Sequence, residues 1–314
     1  MLVLVTGGAG FIGSNLVRRL LDDGVEVRIL DDFSTGLRSN IEGLDVDLRV
    51  GCLTDADFVA SAVAGADSVV HLAARGSVPR SIGEPRQTHD VNATGTLNVL
   101  EAVRDQGAQI IFSSSSSVYG ANKELPKNED MWTQPLSPYG ASKMAAESLV
   151  MSYREVYGID ALALRFFNVY GPLQRADHDY AAVIPKFVWA ALRGETLRVD
   201  GDGEQTRDFT HVDSVVSVIQ QALQRRVSWN RSVNLAFGDR ISINELVTLI
   251  GEFFPDGVSV EHGPARPGDV RNSRNDPTLL RSIFPDVEPA PLQEGLASVV
   301  GWLGATARES RGAA

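Results

Sequence analysis

The stretch TGGAGFIG, Thr6–Gly13, decides how the chain is read. It follows the apolar run Leu2–Val5, which reads as a buried strand. After it, Phe11, Ile12, Leu16, Val17, Leu20 and Leu21 recur at helical spacing. Gly8, Gly10 and Gly13 satisfy G-x-G-x-x-G, and Gly7, Gly10 and Gly13 the related G-x-x-G-x-x-G. Glycines let the backbone turn tightly and approach a pyrophosphate, while the helix N-terminus offers free N–H groups and the positive end of its dipole. Without the strand before and the helix after, the same glycines would be only a structural turn.

Working outward, a second strand, Val25–Leu30, runs into Asp31-Asp32. An acid there accepts hydrogen bonds from the adenosine ribose hydroxyls and repels a 2′-phosphate. The expected cofactor is therefore NAD rather than NADP, with Asp31 on the ribose and Asp32 capping a turn. Ser68–Leu72, Gln109–Phe112 and Ala161–Arg165 read as further strands, and Thr94–Val103 and Ala141–Tyr153 as helices. This alternation predicts an α/β fold, a Rossmann-type doubly wound parallel sheet. After Asn168 the pattern loosens and Pro172, Pro185, Pro264, Pro267 and Pro277 punctuate shorter elements. The expected division is an NAD-binding domain over 1–168 and a smaller mixed α/β substrate domain over 169–314, with about 208–237 returning to the first.

The 314 residues are ample for a sizeable core, and 43% hydrophobic with 22% charged residues is ordinary globular composition. The net charge of −11 argues against a nucleic-acid or membrane-surface binder and means that an anionic ligand needs local arginines. One cysteine, Cys52, excludes an internal disulfide, and the five scattered histidines give no metal-ligand spacing, so no metal is expected. The first residues are apolar but broken by glycines and lack a basic leader region, and no apolar run is long enough to span a bilayer. A cytoplasmic protein is expected.

FSSSSSVYG, residues 112–120, resembles a linker in composition but directly follows the apolar end of a strand. About twenty residues on comes SPYGASKMAAESLV. Ser137 reads as an N-cap and Pro138 as a first-turn proline, which puts Tyr139 and Lys143 at i and i+4 on one helix face. A free tyrosine, with a pKa of about 10, is a poor base at neutral pH, and a nearby ammonium and a positive nicotinamide ring would lower it. A serine hydroxyl at the strand end completes a proton-transfer site beside a hydride acceptor.

Taken in order, TGGAGFIG, HLAA (His71–Ala74), SSxxxYG, YGASK, RFFNVYGP (Arg165–Pro172), GDGEQTRDF (Gly201–Phe209) and RPGDV (Arg266–Val270) resemble the extended short-chain dehydrogenases/reductases, and more closely the UDP-glucose 4-epimerase family, essentially end to end. The resemblance implies a catalytic set of Ser115, Tyr139 and Lys143. It implies cofactor contacts from Gly7, Gly10, Phe11, Ile12, Gly13, Asp31, Leu53, Leu72, Ala73, Ala74 and Asn92 as well as Tyr139 and Lys143. Substrate contacts are implied for Arg80, Ser114, Ser115, Asn168, Arg175, Arg207, Arg266, Asp269 and Ser273. The implied cycle has Tyr139 as phenolate take the C4 hydroxyl proton while the C4 hydride moves to NAD. The 4-keto sugar swings about its pyrophosphate, and hydride returns to the other face. Arg207, Arg266 and Asn168 would anchor the pyrophosphate, and Asp269 the uridine ribose. A homodimer is implied through the helices at Thr94–Val103 and Ala141–Tyr153.

Ser116 and Ser117 stand where related dehydratases carry Asp-Glu and related UDP-glucuronate decarboxylases a Glu, which points away from dehydration and decarboxylation. Two residues bear on the sugar. By the resemblance Ser273, seven residues after Arg266, stands at a gate of the sugar pocket, where a small residue leaves room for an N-acetyl group, whereas Arg175, in GPLQRAD, resembles the UDP-glucuronate 4-epimerases and could pair with a C6 carboxylate. UDP-glucuronate/UDP-galacturonate is the favoured expectation, with UDP-N-acetylglucosamine or UDP-glucose as the alternative. A non-catalytic NAD(H) sensor is the rival of another class. Cys52 replaces an aspartate that usually meets the adenine amino group, and Asn275 stands where a small apolar residue is common.

Overall fold

The computed structural model describes residues 1–177, 181–265 and 271–312. Its strands are β1 Leu2–Thr6, β2 Glu26–Asp31, β3 Asp47–Val50, β4 Ser68–His71, β5 Gln109–Ser115, β6 Ala161–Phe166, β7 Val169–Tyr170, β8 Leu197–Asp200, β9 Thr206–Arg207, β10 Thr210–His211, β11 Val233–Leu235, β12 Ile241–Ser242 and β13 Val260–Gly263. Its helices are α1 Phe11–Asp22, α2 Ala56–Val63, α3 Val78–Gly83, α4 Pro85–His89, α5 Gly95–Gln106, α6 Pro138–Tyr157, α7 Val183–Leu192, α8 Val212–Gln224, α9 Ile243–Gly251, α10 Thr278–Ile283 and α11 Leu292–Gly312.

Seven strands form one parallel sheet in the order β11-β6-β5-β4-β1-β2-β3. The order reverses at β1, whose neighbours are β2 on one side and β4 on the other, and ligands of such sheets bind beyond the strand ends at that point. Both faces are covered, so the strands read as continuous apolar runs. Val3 and Val5 of β1, with Leu162 and Leu164 of β6, pack under α1 and α8. Leu4, Ala161 and Ala163 point the other way, against α2, α5 and α6. A third core, built from Ile184, Phe187, Leu197, Leu246, Ile250, Leu296 and Leu303, holds the C-terminal elements together. Among the described residues no helix is long and apolar enough to cross a membrane.

Two elements run further than the apolar pattern suggests. β5 continues through Ser113, Ser114 and Ser115, which pair with Leu164, Arg165 and Phe166 of β6. Ladder bonds to a neighbouring strand hold the serines extended, which side-chain polarity alone does not reveal. α6 starts at Pro138, where the Ser137 hydroxyl accepts the Gly140 N–H at 3.1 Å, and ends only at Gly158, which adopts φ +69°.

Leu164 is fully buried between the sheet and the α1 side. Leu164→Ala should cost about 2–5 kcal/mol in urea denaturation, whereas Val156→Ala on the exposed face of α6 should stay within about 0.5 kcal/mol.

Candidate active site

The cleft beyond β1 has a volume of about 490 Å³, in the range of small-ligand sites. Its floor is the glycine loop. Gly7 sits at φ +72°, and a Cβ there would lie 2.8 Å from the Ala73 nitrogen. A Cβ on Gly13 would lie 2.1 Å from the Gly7 carbonyl oxygen, so α1 meets the end of β1 with no room for a side chain. Gly10 is the N-cap residue of α1; no side chain caps the helix, and its first turn carries no acid. No side chain takes the N-terminal N–H groups, which suits them to an anion. Asp31, at the end of β2, accepts the Ala9 N–H at 3.0 Å and the Phe33 N–H at 2.8 Å. Each carboxylate oxygen keeps a further lone pair for a ribose hydroxyl. Burial pushes the Asp31 carboxyl up, and these two backbone N–H groups hold it down. Asp32 accepts the Ser34 N–H at 2.8 Å and so closes a turn. A dinucleotide fits this cradle.

Gly10, Phe11, Ile12, Leu53, Leu72, Ala73 and Ala74 also line the cleft. Asn92 does not. Its amide is buried, accepting the Arg75 N–H at 2.7 Å and donating to the Ser142 hydroxyl at 3.0 Å. It clamps the chain after β4 to α6 rather than facing the cleft. The Cys52 sulfur accepts the Thr54 hydroxyl at 3.1 Å.

At the other end of the cleft, Ser113, Ser114 and Ser115 from β5 face Tyr139 and Lys143 from α6. The Tyr139 phenol is pushed up by burial, and a hydrogen bond with Ser115 opposes that. Lys143 donates to the Ser113 carbonyl at 2.8 Å, and burial brings its ammonium down to about 7. In the protein alone, burial therefore works against the phenolate expected from the sequence. The geometry is in place, only the Ser115 hydrogen bond opposes burial, and a cofactor that brings positive charge would favour the charged form.

Beneath them lies His71. Its Nε2 is 2.9 Å from the Thr96 hydroxyl, which itself donates to the Asn92 carbonyl, and its Nδ1 is 2.7 Å from the Thr6 hydroxyl. Thr96 can then only accept from the ring, which assigns the neutral Nε2–H tautomer. Burial, and secondarily Lys143, bring His71 down to about 3.

On the substrate side, Asn168 lies where the cleft joins a second cavity that also holds Arg207, and its amide donates to the Asp208 carbonyl at 3.1 Å. Arg175 lines the first cleft, yet Asp177 takes its fork at 2.9 and 3.2 Å. The Ser273 N–H donates to the Thr206 carbonyl at 3.1 Å, beside Arg207. Arg80 sits on α3 and lines neither cavity. Arg266 and Asp269 lie outside the described residues.

Sequence reading missed two features and left Asn275 without a role. Arg75 also lines the cleft and pairs with Glu84. Glu147, one turn beyond Lys143, forms a buried pair with Arg165 at 2.6 Å and accepts the Ser114 hydroxyl. Asn275 has a plain structural role: its N–H donates to Asp208 at 3.0 Å and its amide to the Ala236 carbonyl at 2.8 Å. It thereby pins the segment after the RPGDV run, while burial carries Asp208 up to about 7. The i+4 position of Glu147 was the one signal available beforehand.

A glycine cradle and a Tyr-x-x-x-Lys helix on a parallel sheet of this order define an extended short-chain dehydrogenase/reductase. The chain matches the NAD dependent epimerase/dehydratase family over residues 3–236. It is 38% identical over 307 residues to the UDP-glucose 4-epimerase of Mycolicibacterium smegmatis, covering 96% of this chain and 97% of that one. Among solved structures it is similar to the UDP-N-acetylglucosamine 4-epimerase of Methanobrevibacter ruminantium in complex with UDP-N-acetylmuramic acid, with TM-score 0.91, 37% identity, and 97% and 98% of the two chains covered. It is also similar to the UDP-glucuronic acid 4-epimerase of Bacillus cereus in complex with UDP-glucuronic acid and NAD, with TM-score 0.89, 28% identity, and 98% and 100% covered. The chain belongs to the NAD dependent epimerase/dehydratase family, and its cofactor is NAD.

Two tests follow from the floor of the cleft. Gly13→Ala should strip NAD from the purified protein and lower its melting temperature. Gly10→Ala, whose Cβ would stand 3.2 Å from the Gly7 oxygen, should do so less; NAD released on denaturation is the readout. For His71, the unfolded chain binds a proton below about 6.5 that the folded chain refuses until about 3, so stability falls as pH drops through that window. His71→Gln should remove about 1.4 kcal/mol of this loss per pH unit between about pH 6 and pH 4, measured by urea denaturation.

Proposed function

We propose that the chain is an NAD-dependent UDP-sugar 4-epimerase. In this reading residues 1–168, with about 208–237, hold the cofactor and the rest holds the nucleotide sugar. The observation that carries it is the meeting of Ser115, Tyr139 and Lys143 with the glycine cradle in one cleft, which opens past Asn168 toward Arg207.

When bound, NAD supplies a hydride acceptor and donor and a positive ring next to Tyr139. The protein supplies the rest. Tyr139 takes the C4 hydroxyl proton and later returns it. Ser115 hydrogen-bonds the C4 oxygen and, through its bond to Tyr139, favours the phenolate. Lys143, fixed on the Ser113 carbonyl, would hold the nicotinamide ribose. Asp31 would take the adenosine ribose, and Leu53 and the Leu72–Ala74 turn, which line the cleft, would hold the dinucleotide. Asn168 and Arg207 would grip the pyrophosphate at a distance from C4, which leaves the sugar free to turn over; Arg266, implied by the family resemblance as a third anchor, lies outside the described residues.

For the sugar, the pairing of Arg175 with Asp177 favours a neutral hexose or N-acetylhexosamine, with small Ser273 leaving room for the acetamido group. A uronate is the second reading; it rests on the place of Arg175 in the cleft wall and requires Asp177 to give way. We further infer a homodimer through the shallow groove that Ala93 and Leu97 form with Ala145 and Leu149 of α6.

The purified protein, without added NAD, should convert UDP-glucose or UDP-N-acetylglucosamine to its C4 epimer, resolved by proton NMR. Tyr139→Phe should lower turnover about 100- to 10,000-fold. Turnover of UDP-glucuronate alone would restore the carboxylate clamp, UDP-xylose would overturn the inference from Ser117, and silence with every sugar would favour an NAD(H) sensor.

A further inference from the structure

Ser114 and Ser115 are adjacent on β5 and both line the cleft, but their hydroxyls are held in opposite ways. The Ser115 oxygen accepts the Ser117 N–H at 3.2 Å and its hydroxyl also bonds Tyr139 across the cleft, so its proton points into the cleft, within reach of Tyr139 or a ligand oxygen. The Ser114 hydroxyl is bonded to Glu147. Glu147 is gripped by Arg165, whose Nε and Nη2 lie 3.0 and 2.6 Å from its two oxygens. Arg165 in turn donates from Nη1 to the Tyr119 hydroxyl at 2.8 Å, and Tyr119 donates to the Asn234 side chain at 2.7 Å. Ser114, Glu147, Arg165, Tyr119 and Asn234 are all buried.

The directions along this chain are forced. A guanidinium only donates and a carboxylate only accepts. With Arg165 forked onto Glu147, the proton between Ser114 and Glu147 belongs to the serine. The Ser114 oxygen then has only lone pairs left for the cleft. We propose that Glu147 and Arg165 are positioning residues that lock Ser114 as a hydrogen-bond acceptor, so that Ser114 selects a ligand group that donates. Two sources carry that chemistry, a hydroxyl of the sugar and the carboxamide N–H of the nicotinamide. Neighbouring serines thus present opposite polarity: Ser115 can give a proton to an oxygen, and Ser114 can only receive one.

The proposal rests on the 4-epimerase reading. The test uses the whole protein, UDP-glucose, and analogues in which one sugar hydroxyl at a time other than that at C4 is replaced by fluorine, with NAD retention measured in parallel. If the donor is a sugar hydroxyl, one analogue should lose about 10- to 100-fold in kcat/KM relative to UDP-glucose in the natural protein. In Ser114→Ala that ratio should collapse toward one. In Glu147→Gln the amide can donate to Ser114 and turn its proton to the cleft, so the same analogue should gain relative to UDP-glucose. If the donor is the carboxamide, the sugar ratios stay level and Ser114→Ala releases NAD faster. Should Glu147→Gln fail to fold because Arg165 loses its counter-charge, Glu147→Gln with Arg165→Met removes that charge, and Ser114→Ala leaves the pair intact. Variants that change only stability, with analogue ratios and NAD retention as in the natural protein, would overturn the proposal. A natural protein silent with every UDP-sugar would sink the 4-epimerase reading instead, and NAD retention would still decide the role of Ser114.

Discussion

The approach of α1 to β1 governs the N-terminal half. A side chain at residue 13 would run into the Gly7 carbonyl, and one at residue 7 into the backbone after β4. Because three backbone segments meet without intervening side chains, the helix N-terminus, the end of β1 and the turn after β4 share one small space. That closeness places the helix N–H groups and Asp31 where they would meet the pyrophosphate and the adjoining ribose of one dinucleotide. The parallel sheet then carries β5 to the same edge, which brings the serines opposite α6.

Burial sets the electrostatics of the cleft more than pairwise charge does. Asp31 and Tyr139 are pushed up and Lys143 is brought down, each with desolvation as the leading cause. All three are held closer to neutrality than in water, a state that a charged ligand can alter with little competition from solvent. The buried Glu147–Arg165 pair is the exception, since each partner neutralises the other in place. Such pairs add little net stability compared with apolar packing, so geometry is the better account of its presence.

Much of this was legible in the sequence because it depends on short-range order. The glycine spacing, Asp31 at a strand end and the Ser137-Pro138 helix start each act within a few residues. The serine run was readable as a strand end, but not its full length, because β6 holds it extended from some fifty positions away. Asn92, Asn275 and Arg165 were opaque for the same reason. Asn92 joins Arg75 to Ser142, Asn275 joins Asp208 to Ala236, and Arg165 joins Glu147 to Tyr119. Their roles exist only once distant segments have met. Arg175 was legible as a cation on a loop, but not as one already answered by Asp177 two residues along.

The position of β11 in the large sheet bears on how the molecule is made. β6 is complete by Phe166, but its outer partner is Val233–Leu235, which arrives only after α7 and the short strands that follow have been synthesised. During that interval an apolar strand displays a row of unpaired N–H and C=O groups, the kind of edge that recruits other chains. The residues of the cleft can therefore all have left the ribosome while the sheet beneath them is still open on one side. A fragment cut near residue 168 would keep that edge permanently.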